Sequence, residues 1–244
     1  MWTKQEICSF VDLTSLNAYD SVKSINQFLE QALIYSKSDF KVAAVCLFPN
    51  FASLAVEKLK NTDIKTAVVA GVFPHSQSFL STRLNECELA LESGVDELDI
   101  VINLGALIEK DYDTVLDEIK AVKNLMGSKT LKVILETGFL KEEAMIRKAS
   151  ELALAGGADF LKTSTGKEFS GADKKAVKTM CEVLADHHTI KGEKRGLKIS
   201  GGIRTYEDAF SYLALTESIL GKEFIIPDLF RIGASSLVKN LMDD

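Results

Sequence analysis

The sequence predicts an α/β fold, a single-domain (β/α)8 TIM barrel spanning 1–244, and three observations carry that prediction. Short β-branched runs alternate with longer amphipathic segments along the chain. The runs are nearly continuously apolar rather than polar on every second residue, as strands covered on both faces should be. The 244 residues hold seven or eight such units with no linker between them, which is the size of one barrel.

In chain order, the expected strands are 9–13 (SFVDL), 42–48 (VAAVCLF), 65–71 (KTAVVAG) and 97–103 (ELDIVIN). The remaining four are 131–136 (LKVILE), 160–165 (FLKTST), 197–200 (LKIS) and 229–233 (LFRIG). Between them lie segments with helical stripes: Leu80, Leu84, Cys87 and Leu91 form one, and Val115, Ile119, Val122 and Met126 another. Thr205 with Asp208 reads as a capping box opening a helix, and Gly156-Gly157 as the stop of an earlier one. An open doubly wound sheet is the competing architecture. It usually carries a glycine-rich dinucleotide turn after an early strand, and none is present.

Composition excludes several function classes. With 46% apolar and 26% charged residues the chain sustains a large core and is not disordered. A net charge of -6 without a clustered Lys/Arg stripe argues against a nucleic-acid surface. No apolar stretch approaches the roughly 20 residues of a membrane span. Residues 1–10 lack the basic start and apolar run of a secretory signal, so a cytoplasmic location is expected. Cys8, Cys46, Cys87 and Cys181 form no CxxC pair and no metal-like spacing with the histidines, and read as buried free thiols.

In a barrel, functional groups gather at the C-terminal strand ends. Lys162, in ADFLKTSTGK (158–167), lies inside an apolar strand, where an ammonium is costly to bury. Pointed into the lumen, it would be desolvated and easier to deprotonate, and a neutral amine is what attack on a carbonyl requires. A lone strand lysine more often snorkels or sits in a salt bridge. The second one, Lys198 in LKISGG (197–202), falls one βα unit later, so adjacent strands would bring two cations together and each would ease the other's deprotonation. Asp99, in DELDIVIN (96–103), is a strand carboxylate suited either to proton transfer or merely to neutralising a lysine. Asp12, in the first strand, is a further inward candidate. Gly201-Gly202 and the GASS segment (233–236), with Thr165-Gly166 as a third wall, offer freed backbone N–H groups after the last three strands, where phosphate is frequently bound.

These residues alone describe a barrel enzyme with paired lysines, an inward carboxylate and a phosphate cradle, consistent with a Schiff-base lyase acting on a sugar phosphate. No metal or cofactor is called for, because a protonated imine is itself the electron sink.

The segments VDLTSLN (11–17), AAVCLFPNF (43–51), DELDIVIN (96–103), LKVILETG (131–138), ADFLKTSTGK (158–167), LKISGGIRT (197–205) and RIGASS (231–236) resemble, in order and spacing, the class I deoxyribose-phosphate aldolases. The resemblance runs from about residue 8 to 238, and a strand ending in KTSTG followed by one carrying LKISGGIRT is its most specific part. It implies that Lys162 is the Schiff-base lysine, Lys198 the lysine that lowers its pKa, and Asp99 the proton-relay acid. It also implies that Asp12, Thr14 and Asn17 lie near the substrate and that Cys46 lines the site without being the nucleophile. Lys167, Gly201, Gly202, Ser235 and Ser236 match positions around sugar and phosphate. The implied reaction is reversible cleavage of 2-deoxy-D-ribose 5-phosphate to D-glyceraldehyde 3-phosphate and acetaldehyde, in deoxyribonucleotide catabolism. Relatives of this kind suggest a homodimer.

Two departures from the family pattern stand out. The sequence closes on LMDD (241–244), without the tyrosine-ended tail that some members fold over the site, so tail-assisted protonation is not expected. The turn VFPHSQ (72–77) lacks the glycine often found after its proline; His75 reads as a loop residue, and His187 and His188 as a surface helix end. Two other readings compete: a class I aldolase or transaldolase with another donor, and a non-catalytic barrel that binds sugar phosphates.

Overall fold

The computed structural model describes residues 2–243. Eight parallel strands close into a barrel in sequence order: β1 Val11–Thr14, β2 Ala44–Leu47, β3 Lys65–Ala70, β4 Glu97–Val101, β5 Thr130–Ile134, β6 Phe160–Lys162, β7 Gly196–Ser200 and β8 Phe230–Ala234. Closure comes from β1 pairing with β8 in the register Asp12 opposite Gly233. Each strand is followed by a helix that covers its outer face, and no helix among the described residues is long and apolar enough to cross a membrane.

Period-two alternation sorts the strand side chains. Val11 and Leu13, Val45 and Leu47, Leu98 and Ile100, Leu131 and Val133, and Leu197 and Ile199 all join the shell packed under the helices. The residues between them face the lumen, where the charged residues anticipated from the sequence are joined by three more. Asp12, Glu97, Asp99, Lys132, Lys162, Lys198 and Arg231 are all buried there. The lumen is ionic along β1 and β4–β8, while the inward residues Cys46 of β2 and Ala67 and Val69 of β3 keep it apolar on that side.

Two local expectations also change. The sixth strand stops at Lys162 rather than 165, because side chains take over from the ladder: Ser200 N donates to Thr163 Oγ1 (3.0 Å), and Thr165 Oγ1 donates to Glu136 Oε2 (2.6 Å). In helix Leu80–Glu92 the buried face is Arg83, Cys87 and Ala90, while Leu84 and Leu91 are only partly buried. Arg83 rotates that face inward by donating to Glu118 Oε2 (2.5 Å). The second stripe, Val115, Ile119, Val122 and Met126, is buried as its periodicity implies. Helix Glu143–Ala155 stops at Gly156, and helix Tyr206–Leu220 opens on the Thr205–Asp208 capping box.

Candidate active site

A cavity of about 280 Å³ opens at the C-terminal ends of β1, β6, β7 and β8. Thr14 and Asn17 come from the turn after β1; Lys162 and the Thr165-Gly166-Lys167 turn come from β6. Lys198, Gly201, Gly202 and Arg204 come from β7, and Ser235 and Ser236 from the loop after β8. Among the described residues no carboxylate lines it, whereas Lys162, Lys167, Lys198 and Arg204 do. In a chain of net charge -6, that concentration of cations makes the cavity a place for an anion.

Local sequence shapes each wall. Asp20 accepts from Asn17 N (2.9 Å) and Nδ2 (3.1 Å), folding the turn after β1 on itself. Thr165 Oγ1 accepts from Lys167 N (3.2 Å), and Lys167 Nζ donates to Leu16 O, tying the β6 turn to the β1 turn across the mouth. Gly201 and Gly202 both adopt positive φ (93° and 86°), a conformation that side chains disfavour, and Gly201 is in direct contact with Gly171. Asp208 Oδ2 accepts from Arg204 N (3.0 Å) as well as from Thr205 N (3.1 Å), so the capping box also anchors the backbone of Arg204.

The floor is a buried ion network. Asp99 Oδ2 accepts from Lys162 Nζ and from Lys198 Nζ, each at 2.7 Å, while Asp99 Oδ1 accepts from Lys132 Nζ at 2.9 Å. Lys198 Nζ also lies 2.5 Å from Asp12 Oδ2, and Asp12 Oδ1 accepts from Arg231 Nη1 at 2.6 Å. Glu97 closes the lower tier, accepting from Lys132 (2.5 Å) and from Arg231 Nη2 (2.9 Å). Lys162 and Lys198 sit side by side because β6 and β7 pair them in register.

Four cations, Lys132, Lys162, Lys198 and Arg231, thus share three carboxylates, Asp12, Glu97 and Asp99. The cluster is neutral when one cation gives up its proton, and the contacts decide which. Burial acts against the charged form of every lysine. Lys198 is compensated by both Asp12 and Asp99, which hold its proton well above the ordinary lysine range. Asp99 and Glu97 likewise keep Lys132 raised. Lys162 has Asp99 alone, so burial, with help from the neighbouring Lys198 charge, brings its value below that of an ordinary lysine. The two lysines are thus shifted in opposite directions, Lys162 down and Lys198 up, because Lys198 has two carboxylates within reach and Lys162 one. Despite the cost of burial, Asp12 and Asp99 are held below the usual carboxylate range, Asp99 by Lys132, Lys162 and Lys198 and Asp12 by Lys198, Arg231 and Lys132.

Of the expected site residues, three lie beneath the cavity rather than in its wall. Asp12 and Asp99 are fully buried and reach the cavity only through the lysines they hold. Cys46 is also fully buried, in a small apolar cluster with Leu16, Ala67 and Val69; its Sγ is 4.0 Å from Asp99 Oδ2, and burial pushes its thiol up. His75 is exposed beside Glu168, and His187 and His188 are half-buried near the end of helix Lys174–Lys191 rather than free on the surface. Lys132, Glu97 and Arg231 were not anticipated. Lys132 and Arg231 each sit between two apolar strand residues, the kind of signal that Lys162 gives, whereas Glu97 follows Asp96 and shares its strand face with Asp99.

The comparisons with known proteins agree with this geometry. Residues 9–237 match the model of the DeoC/LacD family aldolases. Human deoxyribose-phosphate aldolase is 37% identical over 246 residues, covering 96% of this chain and 77% of the human protein. Among solved structures, the aldolase QR15 superposes with a TM-score of 0.80 at 31% identity, over 97% of this chain and 95% of its own. A deoxyribose-phosphate aldolase from Aeropyrum pernix, itself described as a tetramer, superposes with a TM-score of 0.78 at 27% identity, over 99% and 92%. The closed eight-stranded barrel, its cation-lined mouth and the match over nearly all of its length place the chain in the DeoC/LacD family of aldolases.

Proposed function

We propose that this aldolase reversibly cleaves 2-deoxy-D-ribose 5-phosphate to D-glyceraldehyde 3-phosphate and acetaldehyde through a Schiff base on Lys162. The observation that carries the reading is the unequal compensation of the two lysines, which leaves Lys162 the amine that opens on the cavity with the least to hold its proton. A neutral amine adds to the C1 aldehyde, water leaves, and the resulting iminium accepts the electrons of the C2–C3 bond as a base takes the C3 hydroxyl proton. Glyceraldehyde 3-phosphate departs, the enamine carbon is protonated, and hydrolysis of the imine frees acetaldehyde and Lys162.

The proton route in this reading runs through Lys198. Asp99 does not line the cavity and its oxygens already accept from three lysine side chains, so it acts on substrate only through a neighbour or a water. Lys198 touches Asp99 and Asp12 and also lines the cavity, so it relays protons and keeps positive charge beside the imine nitrogen. The phosphate end of the substrate falls to Lys167, Arg204, Gly201, Gly202, Ser235 and Ser236, and Thr14 and Asn17 face the sugar. A cavity of about 280 Å³ suits a small phosphorylated sugar rather than a polymer.

The test is reductive trapping. Incubation with acetaldehyde and sodium borohydride should leave one ethyl group on Lys162, read by intact mass and peptide mapping, and none in Lys162→Ala. Absence of selective label at Lys162 in the folded protein would remove the proposed mechanism. Acetone or dihydroxyacetone turning over faster than acetaldehyde as donor would remove the substrate assignment.

A further inference from the structure

One buried carboxylate stands outside both the ion network and the cavity wall. Glu136 follows β5, whose Ile134 pairs with Lys162 of β6, and is 2% exposed. Its backbone is left-handed (φ 56°, ψ 57°), a region that a residue with a side chain occupies under strain and that glycine takes freely. A strained, buried, acidic residue persists where its side chain does something that glycine does not.

That side chain serves one neighbour. Glu136 Oε1 accepts from Thr165 N (3.2 Å) and Oε2 from Thr165 Oγ1 (2.6 Å). Both donors of Thr165 are thereby committed, and its hydroxyl oxygen accepts in turn from Lys167 N (3.2 Å). Thr165 and Lys167 line the cavity; Glu136 does not. A carboxylate accepts from both donors at once, whereas a glutamine facing the hydroxyl would donate to an oxygen that already accepts from Lys167 N and would leave the hydroxyl hydrogen without this acceptor.

We propose that Glu136 is a positioning residue that fixes the Thr165–Lys167 turn, and through it the preference for a phosphorylated over an unphosphorylated substrate. The proposal rests on the reading of this cavity as a sugar-phosphate site. Glu136 acts on the wall that carries Lys167, not on the Lys162 amine, whose surroundings are set by Asp99 and Lys198.

The experiment compares Glu136→Gln and Glu136→Gly with the parent on 2-deoxyribose 5-phosphate and on 2-deoxyribose, alongside acetaldehyde–borohydride trapping and thermal melting. The expected result is a KM for the phosphorylated sugar raised about tenfold, the scale of one lost hydrogen bond to a charged group. Turnover of the unphosphorylated sugar and labelling of Lys162 should be unchanged, and thermal melting shows that each variant is folded, since Glu136→Gly exchanges relieved backbone strain for two lost hydrogen bonds. Adding Thr165→Val to Glu136→Gln should cost nothing beyond the larger single effect, since both act through one contact. Parallel losses on the two sugars, or an unchanged KM, would overturn the proposal and leave Glu136 a purely structural residue. If Glu136→Gly does not fold, Glu136→Gln decides the matter alone. A parent protein that fails to label at Lys162 defeats the aldolase mechanism instead, and is thereby distinguished.

Discussion

Lys162 and Lys198 donate to the same oxygen of Asp99, each at 2.7 Å, yet only Lys198 has a second carboxylate within reach. Two like charges on one acceptor repel, and the one with less compensation is the easier to deprotonate. The proposed roles, a permanent cation at Lys198 and a convertible amine at Lys162, rest on this inequality between two register-matched positions on adjacent strands.

Replacing Lys198 by Met tests that division. The Lys198 charge is among the influences that lower Lys162, so its removal raises the Lys162 value and leaves more of the amine protonated at neutral pH. The acid limb of the kcat/KM profile should move to higher pH, and activity at pH 7 should fall by about 10²–10⁴-fold, the usual scale for a lost proton-transfer group. A profile that keeps its position while dropping in height would show that Lys198 does not set the Lys162 charge.

Asp99→Asn separates imine formation from bond cleavage. Asp99 raises the Lys162 value, so its neutralisation makes the amine easier to deprotonate, and acetaldehyde trapping on Lys162 should persist. Turnover should still fall by at least about 100-fold, because the relay through Lys198 is cut. The variant should also lose about 3–5 kcal/mol of stability by urea titration, the cost of leaving buried cations without their partner. Equal losses in trapping and turnover would contradict the proposed split of roles.

The barrel was legible from the alternation of strand-like and helical segments, and the two central lysines from their placement inside apolar strands. The same signal was present at Lys132 in LKVILE and at Arg231 in LFRIG, and the spacing of Glu97 and Asp99 already put both carboxylates on one face of β4. These three look ordinary in isolation, and the lumen joins them into one cluster. Closure carries the rest. Arg231 reaches Asp12 across a separation of 219 residues, a pairing that exists only once β8 meets β1. The left-handed turn at Glu136 is likewise invisible in the letters ETG, because what stabilises it is Thr165 on the neighbouring β6 turn.

Lys162→Met should abolish activity and yet stabilise the protein at neutral pH. The folded value of Lys162 lies below its ordinary value of 10.5, so between the two the unfolded chain binds more protons, and stability of the parent rises with pH across that window. Below it the parent bears the cost of a poorly compensated buried ammonium, which a methionine of similar volume does not. The variant should melt higher than the parent at pH 7. The gap should narrow as pH rises towards 10, where the parent's Lys162 sheds its charge in both states. A gap that is constant with pH, or of opposite sign, would show that Lys162 is not the strained member of the cluster.

Gly171→Ala tests how the phosphate-side wall is held. A Cβ at Gly171 would lie 2.2 Å from Gly201 O and 2.7 Å from Gly201 Cα, both backbone atoms that cannot swing aside. Ala172 N donates to Ser200 O (3.1 Å), clamping the two segments at that point, so the collision must displace the Gly201-Gly202 turn into or away from the cavity. The expected outcome is a KM for the phosphorylated substrate raised by about tenfold, with the overpacking cost of about 1–3 kcal/mol appearing as a lower Tm. Gly166→Ala is the control. Gly166 also lines the cavity, at φ 72°, but a Cβ there meets nothing within 4 Å. It should cost about 1 kcal/mol of backbone strain while the Gly201-Gly202 turn stays in place. If the two alanine variants raised KM equally, contact between Gly171 and Gly201 would not be what shapes the anion end of the site.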